Sequence, residues 1–323
     1  MKILANDGIS AEGKQRLEEK GFTCVTENVA QENLVDAINN EGYDVLLVRS
    51  ATTARKELID ACPNLKFIGR GGVGMDNIDV EYARGKGLEV QNTPGASSQS
   101  VAELVFAHLF SISRSLYDSN RQMPVIGNSN FKDLKKKYGK GIELRGKTLG
   151  IIGIGRIGQS VASYALGCGM KVITHDPYID KITIELKING NANVQVGLST
   201  MSMDDLLKQS DFITLHVPKQ TDGSAIIGDA QFTQMKDGVC IVNAARGGVV
   251  DESALLSALN SGKVMHAALD VFENEPTPSA DLLNHRNISL TPHIGAATAE
   301  AQTRIGLELA DNIIKFAKSF ASA

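Results

Sequence analysis

The sequence predicts an α/β protein built as two doubly wound parallel-sheet lobes. Three observations predict it. Short β-rich runs alternate with helical patterns along most of the chain, the signature of β-α-β units. Several runs, such as "VCIVNAA" at 239–245, are almost wholly apolar, as parallel strands covered on both faces require. The length, 323 residues, is enough for two domains of ordinary size.

The first series places strands at Lys2–Leu4, Thr23–Thr26, Asp44–Arg49, Leu65–Gly69 and Leu88–Gln91. Helical stretches such as Ala11–Lys20 and Gln31–Asn40 lie between them. A long helix is expected from Ser98 to about Tyr117, because Val101, Leu104, Val105, Leu109 and Ile112 recur at helical spacing. A polar, lysine-rich loop is expected over Gln122–Glu143. Its run Lys132–Lys140 reads as a solvated stretch, with a phosphate-holding lysine as the alternative. A second series then places strands at Thr148–Gly153, Lys171–His175, Asp211–Val217, Val239–Ala244, His266–Asp270 and Ile288–Leu290. A helical pattern over Thr298–Phe320 closes the chain.

A formal net charge of −4 gives no reason to expect nucleic acid or an anionic membrane as partner. No apolar run approaches the length of a membrane span, and the N-terminus carries no signal-peptide apolar region. The cysteines Cys24, Cys62, Cys168 and Cys240 form no CxxC pair and no metal-ligand spacing. They read as reduced thiols of a cytoplasmic protein without a metal.

The sharpest motif is Gly153-Ile-Gly155-Arg-Ile-Gly158, a G-x-G-x-x-G. It follows the apolar run Leu149–Ile152 and opens the helical pattern Ile157–Leu166. The next strand ends at Asp176, 18 residues beyond Gly158, where a dinucleotide fingerprint carries its acid. Gly153 permits the tight turn, Gly155 lets a pyrophosphate approach the backbone, and Gly158 lets helix and strand pack closely. The free amides of the helix N-terminus hold the phosphates. Asp176 accepts from the ribose hydroxyls and repels a 2′-phosphate, which selects NAD over NADP.

Three further motifs follow later strands. "VNAARGGVVDE" places Arg246 beyond a strand and ahead of a helix that Asp251 is fit to cap. "ALDVFENEP" places Asp270 at a strand end and Glu275 five residues on. "TPHIGAAT" places His293 after a third strand. Taken singly, each has a plain structural reading: a capping or salt-bridging arginine, a solvated loop acid, a loop histidine. Ligands of open α/β sheets bind beyond the carboxyl ends of strands, so the three converge on one edge. There an arginine holds a carboxylate, a histidine moves a hydroxyl proton near neutral pH, and a glutamate favours the imidazolium and fixes the ring tautomer.

At this point the chain resembles the D-isomer-specific 2-hydroxyacid dehydrogenases. The motifs "GRGGVGMDNID", "NTPGASSQSVAE", "GKTLGIIGIGRIGQSVA", "HDPY", "NAARGGVVDESAL", "ALDVFENEP" and "TPHIGAATAEAQ" carry the resemblance, in order, across nearly the whole length. Within the family they look most like its phosphoglycerate dehydrogenase branch. The resemblance implies a flavodoxin-like substrate-binding domain of residues 1–98 plus 294–323. It implies a Rossmann NAD-binding domain of residues 99–293, whose long first helix builds a homodimer or a dimer-based oligomer. Arg246, Glu275 and His293 fall on the catalytic positions. Cofactor positions fall on Val73, Gly153, Gly155, Arg156, Ile157, Gly158, Asp176, Val217, Pro218, Ala244, Arg246, Asp270, His293, Gly295 and Ala296. Substrate positions fall on Arg49, Ser50, Arg70, Gly71, Gly72, Val73, Gly74, Arg246 and His293.

The implied reaction is hydride transfer from a 2-hydroxy acid to NAD with His293 as acid–base group. Closure of the two lobes is expected to exclude water. The implied substrate is phosphorylated, with Arg49 and Arg70 placed to meet it. A glyoxylate or hydroxypyruvate reductase, or another D-2-hydroxyacid dehydrogenase, is the alternative. An NAD-sensing corepressor on the same fold is a third reading. Two departures stand out. Longer members carry C-terminal regulatory domains, whereas the short form is expected here, and the segment Phe131–Gly141 has lysines where many relatives carry a tryptophan.

Overall fold

A computed structural model of the chain describes residues 1–188 and 192–321. It divides into two compact units, Met1–Ser100 with Ala296–Ala323, and Val101–Gly295. In chain order the first series is β1 (Lys2–Ala5), α1 (Ala11–Glu18), β2 (Thr23–Val25), α2 (Leu34–Glu41), β3 (Val45–Val48), α3 (Lys56–Ala61), β4 (Phe67–Arg70), α4 (Val80–Gly85) and β5 (Glu89–Asn92). Two helices follow, α5 (Ser98–Ser113) and α6 (Leu116–Tyr138), then β6 (Thr148–Ile152), α7 (Arg156–Gly167), β7 (Lys171–His175), β8 (Lys181–Ile188) and β9 (Ala192–Ser199). The remainder is α8 (Met203–Gln209), β10 (Phe212–Leu215), α9 (Asp229–Gln234), β11 (Val239–Asn243), α10 (Glu252–Asn260), β12 (Val264–Leu269), α11 (Ala280–Asn284), β13 (Ile288–Leu290) and α12 (Ala299–Ala321).

The first unit is a five-stranded sheet in the order β2-β1-β3-β4-β5, parallel throughout. Central β3 reads Val-Leu-Leu-Val and is buried along its length, because both faces are covered. Leu4, Leu46 and Ile68 face one layer, with Leu34, Ile38 and Leu58. Ile3, Val45, Leu47 and Phe67 face the other, with Leu17 and the α12 stripe Ile305, Leu309 and Ile313. That stripe holds α12 to the unit, at about 1.5–3 kcal/mol per buried side chain. The surface pair Arg16–Asp311, at 2.7 Å, adds less than about 1 kcal/mol. α1 and α12 cross at Gly13 and Gly306, where a Cβ on Gly13 would stand 2.6 Å from the Gly306 backbone. The strand order reverses between β1 and β3, which opens a crevice at their carboxyl ends.

The second unit is a six-stranded parallel sheet, β13-β12-β11-β10-β6-β7. β10 and β11 are buried throughout, as their apolar runs predict. Its order reverses between β10 and β6, beside the glycine-rich turn.

Two expectations are corrected here. The long helix from Ser98 stops at Ser113, and the expected loop Gln122–Glu143 is mostly helix α6. Lysine, leucine and glutamine are good helix formers, so lysine density alone does not make a loop. Pro124 sits inside the helical run; the departure from helical geometry is at Asn130 (φ −124°, ψ 31°). The chain folds back there, so that Lys137 and Tyr138 both bond Asp118 near the start of α6, at 2.8 and 2.7 Å. Secondly, β8 and β9 form an antiparallel hairpin with Ile184 opposite Val196. Alternation of Ile182, Ile184 and Leu186 with Lys181, Thr183 and Glu185 is a strand signal that the expected elements omitted. Ile184, 2% exposed, anchors the hairpin in the core that also holds α7 and β7.

Candidate active site

The second unit presents its expected site residues beyond the carboxyl ends of six parallel strands. Gly153 follows β6, Asp176 β7, Val217 and Pro218 β10, Ala244 and Arg246 β11, Asp270 and Glu275 β12, and His293 and Gly295 β13. Their convergence on one edge is thus a product of strand direction, not of sequence proximity.

The glycine-rich turn is tight. Gly153 has φ +90°, and a Cβ there would stand 2.6 Å from the His216 carbonyl oxygen and 2.7 Å from Val217. A Cβ on Gly158 would collide with the Gly153 carbonyl, so helix and turn touch through bare backbone. Gly155 has open space where a Cβ would stand and is the N-cap of α7, with no side-chain cap. The first-turn amides of α7, at Arg156, Ile157 and Gly158, therefore lack a side-chain acceptor at an accessible helix N-terminus, which fits an anionic pyrophosphate. Asp176 accepts the Ile154 amide at 3.0 Å and the Tyr178 amide at 2.9 Å. Each carboxylate oxygen keeps a further acceptor position for a ribose hydroxyl. His216, below the turn, is desolvated, which pushes its pKa down to about 3 and keeps the ring neutral.

His293 and Glu275 meet. Nδ1 of His293 donates to Oε2 of Glu275 at 2.8 Å, and Oε1 of Glu275 accepts the Phe272 amide at 3.0 Å. A carboxylate only accepts, so the proton of a neutral ring sits on Nδ1 and Nε2 carries the lone pair. Both side chains are a little over one third exposed, so Nε2 is open to a ligand. Beside them opens a cavity of about 430 Å³, lined by Phe272, Pro276, Leu283, Leu290, Pro292 and the pair itself. His293 has φ +54°, a left-handed conformation rare for a residue with a Cβ. Buried Asp270 holds the turn, accepting the amides of Ile294 and Gly295, both at 2.8 Å.

Arg246 lies half-buried in the turn after β11. Asn243 ties this turn, donating to the Arg246 carbonyl at 3.0 Å and accepting the Ala245 amide at 3.1 Å. Gly247 packs so closely on the Phe272 carbonyl that a Cβ would overlap it. The arginine turn and the loop that leads to Glu275 are thereby joined backbone to backbone. Thr291 donates its hydroxyl to Asp270 Oδ1 at 2.6 Å; it, Asn243 and Gly247 support the site but were not singled out by sequence. The "NAARGG" spacing was the available signal for Asn243 and Gly247.

The remaining expected residues form a separate group in the first unit. Arg49 and Ser50 follow β3, and Gly71–Gly74 follow β4. The Arg49 amide bonds Asp7, and Asn77 donates to the Arg49 carbonyl at 2.8 Å. The guanidinium of Arg70 lies over Gly72, where a Cβ would overlap it, and reaches the Gly71 carbonyl at 3.3 Å and Ser50 Oγ at 3.5 Å. Val73 offers its carbonyl to Asn92, and Ala296 offers its own to Gln302 at 2.8 Å. A cavity of about 200 Å³ lies between Asp7, Ser10, Arg49, Gly71 and Gln302, at the crevice between β1 and β3. Among the described residues no helix is long and apolar enough to cross a membrane, and no His/Cys/Asp/Glu group is fit to hold a metal.

Comparison with known proteins gives a consistent family. Residues 106–295 match the family model "D-isomer specific 2-hydroxyacid dehydrogenase, NAD binding domain". The chain is 41% identical over 320 residues to a D-3-phosphoglycerate dehydrogenase of Archaeoglobus fulgidus, covering 98% of this chain and 58% of the relative. It is 43% identical over 320 residues to a hydroxypyruvate reductase of Thermotoga maritima, covering 97% of each. A D-lactate dehydrogenase of Aquifex aeolicus, solved with NAD and lactic acid, superposes with a TM-score of 0.76 at 29% identity, over 99% of this chain and 96% of that one. The chain therefore spans somewhat over half the length of the phosphoglycerate dehydrogenase and nearly all of the hydroxypyruvate reductase.

Proposed function

The chain belongs to the D-isomer specific 2-hydroxyacid dehydrogenase family, and on that premise we propose that it oxidises D-3-phosphoglycerate to 3-phosphohydroxypyruvate with NAD. The observation that carries the reaction class is the 2.8 Å bond from His293 Nδ1 to Glu275. It leaves Nε2 basic and accessible at the edge where the glycine-rich turn also lies. Nε2 takes the proton of the C2 hydroxyl as it leaves. Glu275 then faces an imidazolium, whose charge its carboxylate stabilises. In the opposite direction the protonated ring returns the proton to the 2-oxo oxygen. Arg246 pairs with the substrate carboxylate. The amides of Arg156, Ile157 and Gly158 hold the pyrophosphate of the cofactor, and Asp176 holds its adenosine ribose. NAD, when bound, supplies the hydride acceptor. We assign substrate binding to the first unit, through Arg49, Ser50, Arg70 and Gly71–Gly74, and NAD binding to the second.

The phosphorylated substrate is supported by the phosphoglycerate dehydrogenase relatives and by Arg49 and Arg70 of the first unit. Hydroxypyruvate reduction is the second reading, favoured by a relative matched over nearly the whole of both chains. Steady-state rates with phosphohydroxypyruvate, hydroxypyruvate and glyoxylate, each with NADH and NADPH, decide between them. A kcat/KM for hydroxypyruvate above that for its phosphate overturns the first reading. We further propose a homodimer through α5 and α6, where Phe110 is 49% and Val125 78% exposed. A monomeric mass in light scattering overturns it.

A further inference from the structure

We infer that His108, in α5, is a positioning residue for the His293 turn, acting through Thr291 and Asp270. The effect on catalysis rests on the reading of His293 as the acid–base group; the hydrogen-bond order does not. His108 interrupts a helix face otherwise made of Val101, Val105, Leu109 and Ile112, and it is 3% exposed. A polar ring in such a place is costly unless both nitrogens are paired. They are: Nε2 stands 3.0 Å from Thr291 Oγ1, and Nδ1 stands 3.0 Å from Ser289 Oγ.

A satisfied core histidine would need no more than this. The order of the protons carries the inference further. Thr291 has one hydroxyl proton and gives it to Asp270 Oδ1 at 2.6 Å. Its oxygen can then only accept from the ring, so His108 carries its proton on Nε2. Nδ1 is left as acceptor, and Ser289 donates to it. Burial lowers the His108 pKa against the opposing charge of Asp270, which agrees with a neutral ring. The result is a directed chain: Ser289 to His108, His108 to Thr291, Thr291 to Asp270. Asp270 is where the chain ends and where the amides of Ile294 and Gly295 are held. With its hydroxyl engaged as donor and acceptor, Thr291 cannot turn away from Asp270. The carboxylate is thereby fixed against the residues that follow His293. Without the ring, Thr291 is free to rotate and the left-handed turn loses part of its support.

The test uses the full-length protein and the variants His108→Leu, His108→Gln, Thr291→Val and the double variant His108→Leu/Thr291→Val. His108→Leu is expected to lower kcat for 2-oxo acid reduction roughly tenfold, as for a misplaced catalytic group, with the KM for NADH within about twofold. His108→Gln, which keeps a donor near Nε2, is expected to retain activity within about threefold of wild type. The double variant should be no slower than Thr291→Val, because both changes break one chain. Amide exchange at Ile294 and Gly295 should quicken about tenfold in His108→Leu. Nitrogen-15 shifts of the wild-type ring should report the Nε2–H tautomer. A ring protonated on Nδ1 only, additive losses in the double variant, or unchanged exchange at both amides overturns the inference. Should His108→Leu fail to fold, the wild-type tautomer and the exchange in Thr291→Val decide instead. If the wild type reduces no 2-oxo acid, the proposed function falls, while tautomer and exchange still decide this one.

Discussion

Two turns of the second unit meet the same backbone demand in opposite ways. Both follow a parallel strand and both enter the left-handed region, at Gly153 (φ +90°) and at His293 (φ +54°). At Gly153 the side chain is dispensed with. No Cβ is tolerated there, because it would stand 2.6 Å from the His216 carbonyl oxygen. At His293 a side chain is kept in spite of strain of about 1–3 kcal/mol, and the proposed mechanism makes that side chain the acid–base group. The strain is offset by two amide bonds to the Asp270 carboxylate, which together contribute roughly 3 kcal/mol or more. Glycine serves where backbone must pack against backbone. In the proposed function, a clamped, strained residue serves where a side chain must reach the substrate.

The largest expected effect comes from removing that side chain. His293→Ala should lose about 10²–10⁴ in kcat, the usual contribution of a positioned acid–base group. NAD affinity, set at the other turn, should stay within about threefold of wild type. Steady-state rates and a cofactor titration check both halves, and a Kd that collapses with kcat would break the separation of the two turns. Glu275→Gln comes next. It keeps a hydrogen-bonding group beside Nδ1 but removes the charge that stabilises the imidazolium and fixes the tautomer. A loss of roughly hundredfold in kcat is expected. Retained wild-type turnover would show that the 2.8 Å contact is incidental.

Much of this architecture was legible in the sequence, and the reason differs between its parts. Strands such as Phe212–Leu215 and Val239–Asn243 were legible because burial on both faces leaves an apolar run. The motifs were legible because each ends a strand, and parallel strands deliver their loops to one edge. The segment Gln122–Glu143 misled because its lysines resemble a solvated loop. What makes it helix is partly tertiary, the return of Lys137 and Tyr138 to Asp118. The strands Lys181–Ile188 and Ala192–Ser199 carried their alternation openly. The support beneath the site was not legible. His108 meets Ser289 and Thr291 across more than 180 residues, and no local pattern encodes that meeting. The left-handed φ of His293 is equally silent, since neither Pro292 nor Gly295 specifies it.

At the glycine turn, two substitutions separate strain from access. Gly153→Ala meets both a positive φ and the His216 carbonyl at 2.6 Å. It should destabilise the fold by about 1–3 kcal/mol and weaken NAD binding together. Gly155→Ala meets no atom within 4 Å and has φ −65°. Its stability should stay within about 1 kcal/mol of wild type, while NAD affinity falls because the new methyl stands in the path of the pyrophosphate. Denaturant titrations with and without NAD resolve the two. Equal stability losses would show that open space at Gly155 is not what preserves it.

The smallest expected effect tests the comparison most directly. If His293 is strained, glycine at that position should relieve what alanine retains. His293→Gly and His293→Ala are both expected to be inactive, so activity cannot distinguish them, but stability can. In the left-handed region a Cβ costs about 1–2 kcal/mol relative to glycine, whereas glycine's greater freedom in the unfolded chain returns part of that difference. His293→Gly should therefore be more stable than His293→Ala by about 1 kcal/mol, reversing the order seen where φ is negative. A chemical denaturation midpoint at fixed m-value measures it. Alanine equal to or more stable than glycine would mean that the turn relaxes once the ring is gone. The strain would then be imposed by the bond from Nδ1 to Glu275, and Asp270 would be holding a turn already set by its side chain.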